Sequence, residues 1–143
     1  MNLEELQNEW RDDCKIEKDH EKLAEASRGV PSLHAKYLEY YNNFSLMKKE
    51  REMKYKILLR EKTEFYLGKA PAKVYAEKPF DLKILKQDLP LYLESDVEIQ
   101  QAVLKLEYLD TIINTCDSIL RMINGRSYQI KNVIECEKYF GIQ

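Results

Sequence analysis

Seven cations, Lys48, Lys49, Arg51, Lys54, Lys56, Arg60 and Lys62, fall within fifteen residues. Side chains of this kind hold phosphate oxygens, and a local cluster can do so whatever the charge of the whole chain. The total here is −2, but it is unevenly placed: residues 1–28 carry −4, 29–43 balance, 44–73 carry +5, 74–117 carry −5 and 118–143 carry +2. On an ideal helical wheel Lys49, Lys56 and Arg60 lie within about 40° of one another, beside an apolar stripe of Leu46, Met53 and Ile57. The remaining bases form a second group, with Lys62 about 200° from Arg60 on the same wheel. Phe65 and Tyr66 follow directly, and unpaired nucleobases stack on such rings while cations track the backbone. Plainer readings stand beside these. Lysine and arginine are ordinary solvated helix residues, Glu50 and Lys54 make an i,i+4 pair, and at least one of the two rings is expected to close a hydrophobic core.

Other chemistries find little support. Gly68-Lys69 is the nearest approach to a phosphate-binding loop, but Thr63 stands where its first glycine belongs and Ala70 where a hydroxyl residue should follow. His20 and His34 lack a cysteine at ligand or nucleophile spacing, and Cys14, Cys116 and Cys136 are odd in number and far apart, which disfavours a zinc site or a disulfide framework. No catalytic residue, metal or cofactor is therefore expected. No apolar run approaches the roughly 18 residues of a membrane span, and the first residues lack signal-peptide character, so a cytoplasmic location is expected.

The elements that position these residues should be mainly helical, because four glycines and four prolines in 143 residues leave few turns for a many-stranded fold. A first helix should start near Asn2 with Leu3, Leu6 and Trp10 on one face, and a second after Asp19. Gly29-Val30-Pro31 should interrupt it, with Pro31 restarting a helix. Leu33, Tyr37, Tyr40 and Phe44 then define an aromatic face, and the Tyr37, Tyr40, Tyr41 group reads as core or interface. Asn42-Asn43 is expected to be a turn, with Ser45 capping a separate basic helix to about Leu67. Gly68, Pro71, Pro79 and Pro90 suggest an extended connector over residues 69–94 with one or two short strands. Ser95-Asp96-Val97-Glu98 has capping-box spacing and should open a helix to about Asn124, where Gly125 supplies a C′ position. A last helix should follow, with Ile130, Val133, Ile134 and Phe140 on one side.

The helix after residue 95 carries a heptad: Ile99, Ala102, Leu106, Leu109, Ile113, Cys116, Leu120 and Ile123, with no charged interruption. A strict seam of this length suits knobs-into-holes packing between subunits, and it equally suits an intramolecular helical bundle. Val103 and Ile112 widen the apolar surface, which would let the helix meet neighbours on two sides, as in a ring. The expected architecture is thus a helical hairpin or bundle built on a long heptad-bearing helix, with a proline-containing connector, assembling into a homo-oligomeric ring through Ile99, Leu106, Leu109, Ile113, Leu120 and Ile123.

Three stretches, Leu3-Glu4-Glu5-Leu6-Gln7, Arg60-Glu61-Lys62-Thr63-Glu64-Phe65-Tyr66-Leu67-Gly68 and Arg126-Ser127-Tyr128-Gln129-Ile130-Lys131, together resemble the UvsY family of recombination mediators of T-even-type phages. The resemblance spans nearly the whole chain and is thinnest from about residue 69 to 96. It implies a non-catalytic protein of recombination-dependent replication and repair, forming a ring of six or seven subunits in the host cytoplasm. Such a protein binds single-stranded DNA and helps load a RecA-like recombinase onto strands covered by single-strand-binding protein. In the family a basic-x-basic pair ahead of the aromatic-Tyr-x-Gly run is implicated in strand binding, and here that pair is Arg60 and Lys62. Where the family has a small residue between the bases and Leu-Asp after them, this chain has Glu61 and Thr63-Glu64. Residues 1–68 would then carry the strand-binding helix, 69–94 the connector and 95–143 the oligomerisation region. Strand-binding candidates are Arg60, Lys62, Lys49, Lys56, Lys48, Arg51, Lys54 and Tyr66. The alternative is a helical scaffold or adaptor that self-associates and binds only proteins, with no salt-sensitive affinity for oligonucleotides.

Overall fold

The computed structural model describes residues 1–141, and among these there are helices and no strands. Asn2 opens α1 (Leu3–Asp13) with a capping box, its side chain accepting from the Glu5 N–H while the Glu5 carboxylate accepts from the Asn2 N–H. Then come α2 (His20–Arg28), α3 (Val30–Tyr66), α4 (Ala72–Glu77), a single 3-10 turn (Lys86–Asp88), α5 (Leu89–Ser95), α6 (Val97–Asn124) and α7 (Arg126–Phe140).

Two compact units can be distinguished. One comprises residues 1–45 and 110–143, the other residues 46–109. The boundaries fall inside α3 and α6, so the first unit joins the two ends of the chain while the second is one contiguous stretch. In the first unit Tyr37 is fully buried, packs edge-on to Trp10 and Tyr40, and donates its hydroxyl to Asp13 at 2.8 Å. Lys36 bridges Glu9 and Asp13 at 2.6 Å each. Buried Arg126 donates to the carbonyls of Cys14 and Lys15, closing the C-terminal end of α1, and α2 packs on α7. The expected core role of the tyrosine group is met most fully by Tyr37.

Three local expectations are corrected. Asn42 and Asn43 make no turn, and Ser45 caps nothing: α3 is one helix of 37 residues. Both asparagines are exposed and cost only about 0.5–0.7 kcal/mol each as helix residues, whereas a break would move Phe44, seven residues from Tyr37, off the buried face. The connector forms short helices in place of strands, because Pro71 sits at the N-cap of α4 and Pro90 in the first turn of α5. Proline there starts a helix, since its missing N–H would have had no partner. Finally, α6 begins one residue later than the Ser95 box implies. Asp96 is the capping residue, its Oδ1 accepting from the Ile99 N–H at 3.1 Å, while Ser95 ends α5 and donates to the Leu91 carbonyl.

The heptad is largely covered within the single chain. Ile99, Leu109, Cys116, Leu120 and Ile123 are buried, Ala102, Leu106 and Ile113 half-buried, and Ile112 and Ile119 are buried beside them. The large apolar side chains left exposed on the C-terminal helices are Val97, Leu104, Tyr108, Met122, Tyr128, Ile134, Tyr139 and Phe140. No helix among the described residues is long and apolar enough to cross a membrane.

Candidate nucleic-acid interface

The basic run occupies the second half of α3, inside the unit of residues 46–109. Because that half is a regular helix, the two groups of cations seen on the wheel become two different surfaces. Lys49, Lys56 and Arg60 are exposed alongside Leu46, Met53 and Ile57, which are themselves exposed. Lys49 and Lys56 make no ion pair among the described residues, and Arg60, with its side chain 67% exposed, has only Glu64 at 3.8 Å. Exposed pairs of this kind contribute at most about 1 kcal/mol, so these cations are available to a phosphate.

Lys62 is in a different situation. Its side chain is 14% exposed, and its ammonium lies 3.2 Å from Asp96, itself only 6% exposed, and 3.4 Å from Glu98. Lys78 reaches the same Glu98 oxygen, Oε1, at 3.0 Å. Asp96 also accepts from the Tyr66 hydroxyl at 2.6 Å on Oδ2 and caps α6 through Oδ1. Two lysines and two carboxylates form a neutral knot that fixes the end of α3 against the start of α6. Burial opposes ionisation of Asp96, but hydrogen bonds from Tyr66, the Ile99 N–H and Lys62 outweigh it and hold the carboxyl below its usual range. Glu98 is held low chiefly by Lys78. Burial, reinforced by the Asp96 hydrogen bond, pushes the Tyr66 phenol up to about 12.

Tyr66 is bound on its ring face as well. Phe65, Tyr66, Tyr75, Phe80 and Tyr92 form one half-buried cluster, with Phe65 stacked on Tyr75 at 5.3 Å and Tyr66 edge-on to Phe80 at 5.1 Å. The helix end that presents the cluster is set by Gly68 at φ +78. Backbone bonds from Gly68 to Phe65 and from Lys69 to Glu64 complete the glycine-terminated Schellman motif. Tyr75 then donates to the Phe65 carbonyl at 2.8 Å and accepts from the Ala70 N–H, tying α4 to α3.

Of the eight strand-binding candidates, five, Lys49, Arg51, Lys54, Lys56 and Arg60, are exposed. Lys54 has an i,i+4 partner in Glu50 at 3.4 Å, and Lys48 is half-buried and pairs with Glu52 at 3.5 Å. Arg60 and Lys62, although far apart on the wheel, line the same cleft of about 440 Å³ together with Phe65, Val74, Lys78 and Glu98. Its three cations face Glu61, Glu64 and Glu98, so the cleft has no net charge. The sequence reading missed Asp96, Lys78, Tyr75, Phe80 and Tyr92 as parts of this site. The acidic pair Asp96 and Glu98 at a helix start was the available signal, but capping alone explained it.

The fold and the site define an all-helical protein, among the described residues, built around a long helix that carries exposed cations. Crystal structures of the bacteriophage T4 recombination mediator protein UvsY superpose on this chain with a TM-score of 0.81 at 22% identity, covering 97% of both chains. A second lattice of the same protein gives 0.80 at 21%, covering 97% of this chain and 98% of that one. At such identities the likeness is one of fold. A family model described as recombination, repair and ssDNA binding protein UvsY matches residues 9–141. The chain belongs to the UvsY family. Among curated proteins no significant match is found.

Proposed function

We propose that this chain is a recombination mediator that binds single-stranded DNA and helps load a RecA-like recombinase onto strands covered by single-strand-binding protein. The observation that carries the reading is the edge of α3, where Lys49, Lys56 and Arg60 stand unpaired or weakly paired beside exposed Leu46, Met53 and Ile57. Cations there track phosphates, and the apolar stripe can pack against base faces through dispersion contacts. Lys62 supports this edge from behind, holding Asp96, and is not itself a phosphate ligand.

Single sites of this kind are weak, and a mediator needs many of them on one strand. Linking sites by self-assembly makes each later contact intramolecular and raises overall affinity without any new contact. A ring of six or seven copies, as family membership suggests, would supply that multiplicity in the host cytoplasm. The exposed aromatic residues of α7, Tyr128, Tyr139 and Phe140, are better placed to meet a neighbouring copy than the buried seam residues Ile99, Leu109, Leu120 and Ile123. Half-buried Leu106 and Ile113 retain partial access.

The test is a titration of an oligothymidylate at several salt concentrations with wild type and Arg60→Ala. Each lost phosphate contact reduces the log–log slope by about 0.7 for a single strand. A wild type without salt-dependent affinity would favour the protein-only scaffold.

A further inference from the structure

The second group of cations on α3 faces α6 and forms a different surface with it. Arg51, Lys54 and Tyr55 from α3 and Glu98, Gln101 and Lys105 from α6 line a groove of about 260 Å³. The charges of its walls do not cancel. Glu98, the carboxylate among them, already lies against Lys62 at 3.4 Å and Lys78 at 3.0 Å. Glu50 reaches Lys54 at 3.4 Å, but both side chains are about 70% exposed, where such a pair is weak. Arg51 and Lys105 are exposed and make no ion pair among the described residues. Two helices thus bring three cations to one small concavity that lacks an available counter-charge.

Size and composition narrow the ligand. Pockets that enclose small molecules run from about 300 to 1,000 Å³, and this groove falls below that range, so it suits an anionic group presented on a chain that passes across it. Arg51 and Lys54 are separated by about 4.5 Å along the helix axis, close enough to address one phosphate together, and the guanidinium can engage two of its oxygens at once. We infer that this groove is a second phosphodiester-binding site, in which Arg51, Lys54 and Lys105 hold a backbone phosphate of a single strand and the Gln101 amide can donate to a neighbouring sugar or ester oxygen. The inference rests on the strand-binding reading above and extends it to α6. Lys105 lies in a stretch whose sequence charge is −5, and only the pairing of the two helices gives it basic company.

Lys105→Ala, Lys105→Glu and Arg51→Ala in the full chain, titrated by fluorescence anisotropy with an oligothymidylate across a sodium chloride series, test it. Each alanine variant is expected to lower the log–log slope by about 0.7 and weaken binding several-fold at low salt. Lys105→Glu should weaken it further, and the melting temperature should stay at the wild-type value because both side chains stand in solvent. Wild-type slopes in all three variants would overturn the groove. Arg60→Ala, measured beside them, would still report on the α3 edge, so the failure of the groove is separable from failure of the edge. A wild-type chain with no salt-dependent affinity would overturn both.

Discussion

Replacing Lys62 by methionine separates two roles that its position in the sequence makes look alike. Methionine keeps the length of the apolar stem and removes the ammonium that lies 3.2 Å from Asp96 and 3.4 Å from Glu98. Breaking one side of a buried pair costs about 3–5 kcal/mol, but Asp96 would retain the Tyr66 hydroxyl and the Ile99 N–H. Glu98 would retain Lys78 and is about half exposed. The expected loss is therefore nearer 2–3 kcal/mol, roughly, the desolvation cost of one partly compensated carboxylate. For a chain of this size that lowers the melting temperature by about 6–10 °C. Circular dichroism melts supply the first readout, and the salt dependence of oligothymidylate binding supplies the second. The melting temperature should fall while the log–log slope stays at its wild-type value. Adding Asp96→Asn should restore part of the stability, because asparagine still caps α6 and no carboxylate is left unpaired; this coupling is what a double-mutant cycle measures. A Lys62→Met protein that melts like wild type yet loses about 0.7 of slope would refute the reasoning and make Lys62 a phosphate ligand.

Other outcomes follow from the same geometry. Leu109→Asp places a charge at a buried position and should unfold or severely destabilise the chain, by more than about 3 kcal/mol, visible as loss of cooperative melting; a folded variant would show that the seam is open in solution. Tyr139→Ser with Phe140→Ser should leave the helical circular-dichroism spectrum unchanged and reduce the mass seen by light scattering, since both rings are exposed; an unchanged mass removes them from the assembly surface. Gly68→Ala meets no neighbouring atom within 4 Å, so its cost is the backbone strain at φ +78 alone, about 1 kcal/mol, read from denaturant midpoints. Tyr66 has its folded pKa raised from 10.0 to about 12, so its hydroxyl contributes stability that is present below pH 10 and lost as pH rises from there towards 12. Asp96 and Glu98 are lowered from 3.8 and 4.5, so their contribution is present above those values and fades as pH falls beneath them. Tyr66→Phe should make the alkaline limb of the stability profile shallower, with buried Tyr37 still contributing to that limb, and should also reduce the share of the acid limb that comes from Asp96, which loses a hydrogen bond.

Local signals in the sequence were legible where one residue decides the outcome. The start of α1 near Asn2, the interruption at Gly29 and the end of α3 at Gly68 all rest on residues whose backbone or capping chemistry acts at once. Asn42-Asn43 and the connector prolines were misleading because their preferences are weak or depend on position within a helix, and packing of Phe44 and the first turns of α4 and α5 overrode them. The apolar period of α6 was plain, but period alone does not say whether the partner helix belongs to the same chain. Burial of Ile99, Leu109 and Ile123 within one chain supplies that missing fact.

The same limit applies to charge. Counting charges over residues 44–73 gives +5, yet the unit to which the second half of α3 contributes, residues 46–109, holds thirteen bases against eleven acids. What a strand meets is set by which cations are left without a partner once the fold has brought distant acids to them. Lys62 and Lys78 are neutralised by Asp96 and Glu98, and that neutralisation is also what leaves Glu98 unable to oppose an anion in the neighbouring groove. Strand affinity in this chain should accordingly depend on Asp96 and Glu98 indirectly. Glu98→Gln frees Lys78, whose side chain is 67% exposed, in the cleft that it lines with Arg60. It should raise affinity and steepen the salt slope, by up to about 0.7 if one further phosphate is engaged, although the residue touches no nucleotide in this account. An unchanged affinity in Glu98→Gln, with folding intact by circular dichroism, would show that the strand does not pass the cleft where Lys78 stands.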